Sequence, residues 1–320
     1  MPDGAVHQSL PVIDVSPLMN ASDAGIRAVA AEIHAACTGP GFFYIRGHGV
    51  PDAVIEAARE QSRRFFHLPP EVKAHTRANQ MHRGWHAMGG AVMEGAKKAD
   101  LKEFFSMGLD LPMDHPVVAA GQKLRGPNQW PAEVPELRPA MEAYYAEMLR
   151  VGGLLMRAIA VSLDLPPDFF APHYTLPLQR TQAIFYPPQA PDDTDGFGVA
   201  PHTDFGCITL LWQDGSGGLE VKERQTGQWI PAPPLPGTFV INVGDLLGRW
   251  SNDRFASTPH RVVNRSGHER MSIATFHDPN FDAPIDPRAL GATEPKYPPT
   301  TSGGHILECF DKAFSYRKKD

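Results

Sequence analysis

Two histidines and an aspartate, His202, Asp204 and His260, could share a metal ion, and the pair Arg270 and Ser272 could hold an anion. His202 and Asp204 stand two apart in "APHTDFGCITLL" (200–211), which reads as one buried strand. Side chains at i and i+2 of a strand share a face, so the imidazole and the carboxylate project together, while Thr203 and Phe205 turn away. A strand-end histidine hydrogen-bonded to a carboxylate would give the same local pattern. Downstream, "STPHRVVNRSGHERMSIATF" puts His260 on one strand and Arg270 on the next, with "NRSG" (264–267) as a hairpin turn between them. Arg270 and Ser272 again share a face, which Ala274 and Phe276 continue. Two histidines and one carboxylate are the facial set of non-haem Fe(II) sites, which leaves coordination positions open. A guanidinium fork beside a hydroxyl suits a bound carboxylate. Spacing alone equally permits Arg270 as a surface strand residue.

The remaining candidates are weaker. Strict alternation turns Cys207 and His277 away from the metal face, and His268 sits beside the turn. His34, His48, His67, His82, His86, His173 and His305 lack a matched carboxylate and strand context, so they read as structural or exposed. "DGSGGLEV" carries neither a phosphate-binding nor a dinucleotide fingerprint and reads as a turn.

Short apolar or alternating runs after residue 176 must position these side chains: "QRTQAIFY", "FGCITLLWQ", "GLEVKER", "QWIPAPP", "TFVINVG", "HRVVN" and "RMSIATFH". Turn residues separate them, with little helix between, which predicts an antiparallel sandwich or jelly roll. The first half reads differently. Helices are expected over 24–38 and 52–66, and "GFFYIRGHGV" (41–50) reads as a strand ending in a turn. Leu137, Met141, Tyr144, Met148, Val151, Leu155 and Ile159 recur at helical spacing and predict one long packing helix. Residues 82–131 show no assignable pattern. The expectation is a mainly β protein whose helical N-terminal half buttresses the β core.

Composition narrows the function classes. The 320 residues are 42% apolar, enough for a sizeable core. The 32 prolines and 29 glycines make about a fifth of the chain, below the roughly 25–30% that marks disorder. A net charge of −6 without a long basic block argues against nucleic acid or an anionic membrane as partner. Three scattered cysteines without a C-x-x-C argue against a disulfide framework or a zinc–thiolate site, and fit a reducing compartment. The opening "MPDGAVHQSLPVIDVS" lacks the basic-then-apolar order of a signal peptide, and no run approaches 18 apolar residues. A soluble cytoplasmic protein, monomer or loose homodimer, is expected.

The chain resembles the isopenicillin N synthase-like Fe(II)/2-oxoglutarate-dependent dioxygenases, nearly end to end. "PVIDVSPL", "GFFYIRGHGV" and "FFHLPPEVK" are similar to that family's N-terminal region. "HTDFGCITLL", "GLEV", "FVINVGDLLGRWSNDRFASTPHRVVN" and "RMSIATFHDPN" are similar to its catalytic core. The resemblance implies a double-stranded β-helix (jelly-roll, cupin-like) core, with His202, Asp204 and His260 binding iron. It implies that Arg270 and Ser272 hold the distal carboxylate of 2-oxoglutarate, joined by Tyr186 of "FYPPQ". Ile184 stands where plant members carry Asn, which removes a side-chain amide from that position. "HRGWHAMGG" resembles the family's Arg-Gly-Tyr loop, with Trp85 in place of Tyr, and "LKEFFSMG" its next substrate-side strand. The implied reaction couples O2 and oxidative decarboxylation of 2-oxoglutarate, giving succinate and CO2, to oxidation of a small organic substrate. Hydroxylation is the common outcome, and ascorbate can serve as reductant.

From position, Arg83, Trp85, Phe104, Phe205 and Phe276 are expected to line the substrate pocket, although ordinary core packing would explain each aromatic as well. The expected organisation is a helix-rich region over 1–175, the oxygenase core over 176–285 and an extension over 286–320, in one compact unit. An Fe(II) oxidase that dispenses with 2-oxoglutarate would keep the same residues, since isopenicillin N synthase uses an Arg-x-Ser pair for its own substrate's carboxylate. A non-catalytic jelly-roll binding module is a rival from another class, but such a module need not keep the intact set. A zinc hydrolase would give Arg270 no evident role.

Overall fold

Turn residues cut the chain into fourteen short strands, and the computed structural model describes them within residues 9–19, 23–89, 100–189 and 196–313. In chain order they are β1 (Val12–Asp14), β2 (Phe42–Arg46), β3 (Gly84–His86), β4 (Glu103–Gly108), β5 (Arg180–Tyr186), β6 (Val199–His202) and β7 (Ile208–Gln213). They continue with β8 (Leu219–Lys222), β9 (Trp229–Pro231), β10 (Phe239–Val243), β11 (His260–Val262), β12 (Arg270–His277), β13 (Pro284–Ile285) and β14 (Thr300–Thr301). Eight form one sheet in the order β1-β2-β10-β7-β12-β5-β4-β3, and four form a second in the order β6-β11-β8-β9. Apart from the parallel β1–β2 pair, the ladders of both sheets are antiparallel. The jelly-roll architecture read from the strand spacing is therefore present. Strands from the first half complete its larger sheet.

The larger sheet is buried on both faces, which is why its strands read as nearly continuous apolar runs. Its outer face gives Phe43, Ile45, Phe105, Met107, Ile241 and Ile273 to a core shared with the helices. Its inner face gives Phe42, Tyr44, Phe104, Ile184, Val240 and Ala274 to a second core facing the smaller sheet. The helices occur where periodicity puts them, at Asp23–Thr38, Asp52–Phe66 and Leu137–Ser162. Every residue of the expected stripe on the long helix is buried. Among the described residues no helix is long and apolar enough to cross a membrane.

Two expectations are corrected. "APHTDFGCITLL" is not one strand: β6 ends at His202, and the chain bends through 203–207 into β7 of the other sheet. Gly206 permits that crossing, since a Cβ there would lie 1.8 Å from Asp278 Oδ1. "NRSG" is not a hairpin turn either. β11 pairs with β6 and β8, whereas β12 pairs with β5 and β7, so the turn carries the chain from one sheet to the other. Asn264 braces it, its Nδ2 donating to the His268 carbonyl at 2.8 Å and its Oδ1 accepting from Ser266 Oγ at 2.7 Å. Strands read as neighbours thus face each other across the interior.

Candidate active site

His260 is the direct cross-strand partner of His202 where β11 meets β6, and their rings lie 4.2 Å apart. Asp204, two residues beyond His202 and past the strand end, brings Oδ1 to 3.7 Å from Nε2 of both histidines. One ligand atom from each of the three lies within 4.8 Å of the others, and this is the metal-competent group found among the described residues. The meeting of two strands at one end therefore replaces the single-strand alternation expected for His202 and Asp204.

The surroundings fix the chemistry of these groups. Nδ1 of His202 contacts the Ala200 carbonyl at 2.8 Å, and Nδ1 of His260 the Thr258 carbonyl at 3.3 Å. A carbonyl can only accept, so each Nδ1 carries the proton and each Nε2 keeps its lone pair for a metal. Burial, with His260 beside it, holds the His202 imidazole down to about 3 and hence neutral. Burial opposes the Asp204 carboxylate, but His260, His202 and hydrogen bonds from Thr209 and Asn242 outweigh it and keep its pKa below the ordinary value. Those two donors reach Asp204 Oδ2 at 2.5 and 2.7 Å, leaving Oδ1 toward the histidines. Two imidazole nitrogens and one carboxylate oxygen, on one side of an open cavity, fit Fe(II). Asn242→Leu should weaken anaerobic Fe(II) binding by about 10–100-fold, the usual cost of losing such an orienting partner, with an unchanged circular dichroism spectrum.

Arg270 and Ser272 face the same cavity from β12. Arg270 is 1% exposed and its Nε donates to the Gly217 carbonyl at 2.5 Å. Its Nη atoms are 3.4 Å from Ser272 Oγ and from Gln213 Oε1. Tyr186 is its cross-strand partner on β5, with the guanidinium carbon 4.6 Å from the ring centre. Ile184, at the position of the absent Asn, pairs with Ser272. The buried guanidinium, with its long contacts on Nη1 and Nη2, offers a carboxylate a fork, a hydroxyl and an aromatic wall.

Three of the five expected pocket residues, Phe104, Phe205 and Phe276, line this cavity. Phe205 does so because the strand has already ended at His202, so alternation does not apply to it. Arg83 and Trp85 do not line it, which corrects that expectation. The Arg83 guanidinium turns to the carbonyls of Met81 and Leu124, each at 3.1 Å. Trp85 points from β3 into the outer core, where its Nε1 donates to Glu103 Oε2 at 2.5 Å. Its strand neighbour His86 takes the inner side and stacks on Phe104 at 4.1 Å. His277 and Cys207 stay away from the cavity, His277 bonding Gln179 at 2.6 Å.

The cavity also holds His82, Lys102, Arg180, Gln182 and Phe310, which the sequence reading missed. Counting back in twos from Tyr186 along β5 reaches Ile184, Gln182 and Arg180, so alternation could have found two of them. Asn242 was readable as a polar residue inside the apolar run "FVINV". Phe310, from the helix Ser302–Ala313, carried no comparable signal.

Comparison with known proteins bears on this geometry. Residues 10–133 match the family model described as non-haem dioxygenase in morphine synthesis N-terminal, and residues 177–279 match that of the 2OG-Fe(II) oxygenase superfamily. The 2-oxoglutarate-Fe(II) type oxidoreductase hxnY of Emericella nidulans is 35% identical, over 97% of this chain and 93% of its own. Neurospora crassa T7H, solved with alpha-KG and 5-formyluracil, superposes with a TM-score of 0.82 at 30% identity, covering 96% of this chain and 98% of that one. JOX2, solved with 2OG, Fe and JA, gives a TM-score of 0.78 at 31% identity, covering 97% and 89%. With relatives matched along almost their whole length and a donor set suited to iron, the chain belongs to the 2OG-Fe(II) oxygenase superfamily, as an Fe(II)- and 2-oxoglutarate-dependent dioxygenase acting on a small molecule.

Proposed function

We propose that the protein hydroxylates a small organic molecule, with His202, Asp204 and His260 as iron ligands and Arg270, Ser272 and Tyr186 as the clamp on the distal carboxylate of 2-oxoglutarate. The observation that carries this reading is the placement of both sets on the walls of one cavity between the two sheets. Bound Fe(II) supplies the redox chemistry that couples O2 and the decarboxylation of 2-oxoglutarate to oxidation of a substrate C–H bond.

The chain's own residues bind, orient and exclude water. Asp204 brings the negative charge that a divalent ion needs, and Thr209 and Asn242 keep its free oxygen aimed at the histidines. Arg270 fixes the far end of the cosubstrate, so that its keto-acid end falls toward the metal. Phe104, Phe205 and Phe276 form apolar walls that shed water once a substrate enters. Solved relatives carry 5-formyluracil or JA in their complexes, and a molecule of that size class suits this reading. The acidic net charge and reduced-cysteine composition support a cytoplasmic enzyme without nucleic-acid or membrane partners, working as a monomer or loose homodimer.

The test is an anaerobic titration of Fe(II)-loaded protein with 2-oxoglutarate, followed by its weak visible charge-transfer band. A saturating band establishes iron and chelated keto acid together. Iron binding without a band points instead to an oxidase whose substrate ligates the metal directly.

A further inference from the structure

The β5–β12 ladder runs from Arg270 opposite Tyr186 at one end to Phe276 opposite Arg180 at the other, about 20 Å along the strands. The first end belongs to the cosubstrate clamp. The second is a separate constellation on the same cavity. Arg180 is 4% exposed; its Nη2 donates to Asp278 Oδ2 at 3.1 Å, and its guanidinium carbon lies 4.6 Å from the ring centre of Phe310 and 5.0 Å from that of Phe276. Its Nε is buried and has no hydrogen-bond partner among the described residues. Lys102, with Nζ 3.2 Å from Asp100 Oδ2, belongs to the other end, since β4 runs from Glu103 opposite Phe185 to Gly108 opposite Arg180. Phe205, next to the proposed iron ligand Asp204, is 6.1 Å from Phe310 and links the Arg180 end to the metal.

The charges decide what can enter. The cation at this end is already neutralised by a buried carboxylate. A ligand carboxylate would lose its water and meet Asp278 along with Arg180, so its desolvation would go largely unreturned. A ligand ammonium fares worse. Among the described residues lining the cavity the carboxylate is Asp204, held by Thr209 and Asn242. What this end offers is a spare N–H donor in a neutralised pair, beside aromatic faces. An uncharged acceptor satisfies a buried donor that otherwise has no partner, and a flat ring matches the phenyl faces.

We infer that the substrate is an uncharged planar ring carrying a carbonyl-type acceptor, which takes a hydrogen bond from Arg180 while its ring lies among Phe205, Phe276 and Phe310. This rests on the reading of the cavity as the chamber of an Fe(II)/2-oxoglutarate oxygenase. Arg180 is then the residue that selects for charge.

Three probes of one shape and different charge test it: 4-methylbenzamide, 4-methylbenzoate and 4-methylbenzylamine. Each is titrated anaerobically into wild-type protein holding Fe(II) and 2-oxoglutarate, with calorimetry and the charge-transfer band read side by side. The amide should bind at least about tenfold more tightly than either ion and shift the band. Either ion binding as tightly as the amide overturns the inference, and so does binding of none of the three at millimolar concentration. Absence of the band itself strikes the iron and keto-acid reading, while the calorimetric order of the probes still decides this one. Arg180→Lys keeps a cation for Asp278 but lacks the Nε donor. It should weaken amide binding about tenfold and leave the 2-oxoglutarate titration unchanged, and unaltered amide binding would remove Arg180 from the role.

Discussion

Replacing Asp204 with Ala is expected to abolish Fe(II) retention and to bring succinate formation down to background. The two histidines each offer one ring nitrogen, so the carboxylate is the single anionic donor of the set. Without it, neither charge nor the third position of the facial group remains. The substitution also strands Thr209 and Asn242, whose buried donors meet on Asp204 Oδ2. An unsatisfied buried donor costs about 1–3 kcal/mol, so Asp204→Ala should melt at a lower temperature as well. Asp204→Asn separates the two effects. Its amide oxygen, turned to the Oδ2 position, keeps an acceptor for both donors while the charge is lost, so it should melt closer to the wild type and still fail to retain iron. Iron affinity equal to the wild type in Asp204→Asn would show that the carboxylate is not a ligand.

That set was legible because it is written locally. A histidine two residues from an aspartate, a distant histidine before an apolar run and an Arg-x-Ser at the head of a strand survive without knowledge of the topology. The pairing that brings His260 opposite His202 is another matter, since it joins positions 58 apart and depends on how two sheets close. The same limit explains the mistaken hairpin. Turn chemistry at "NRSG" is genuine, but a turn does not say whether the strands beside it pair or part into different sheets. Trp85 and Arg83 were read from their position in a loop resembling the family's substrate side, in a segment without periodicity. β3 has three residues there, and its alternation sends Trp85 outward and His86 inward. Phe205 shows the reverse, since an alternation rule applied beyond the true end of β6 turned a cavity residue away. Arg180 and Gln182 were readable by counting back in twos along β5 from Tyr186, which the family resemblance supplied. Phe310 reaches the cavity only because the C-terminal helix folds back over Arg180, a tertiary fact without a local signature.

Arg270→Ala should raise the 2-oxoglutarate concentration needed for half-saturation far more than the Fe(II) concentration. The guanidinium is 1% exposed, so an arriving carboxylate exchanges water for a charge-assisted contact shielded from solvent. Losing one partner of a buried charged pair costs about 2–5 kcal/mol, which corresponds to a weakening of about 30-fold to several thousandfold. Iron affinity should hold, because His202, Asp204 and His260 take their orientation from Ala200, Thr258, Thr209 and Asn242, and none of these contacts passes through Arg270. Arg270→Lys is the sharper variant. It retains the charge, but a lysine ammonium cannot present the planar fork that the guanidinium, its carbon 4.6 Å from the Tyr186 ring centre, can offer. Its half-saturation should fall between those of wild type and Arg270→Ala, with the succinate formed per substrate oxidised unchanged. Equal 2-oxoglutarate requirements in all three proteins would move the cosubstrate clamp elsewhere in the cavity. They would also free Arg270 to be what it is in an oxidase without 2-oxoglutarate, the anchor of the substrate's own carboxylate.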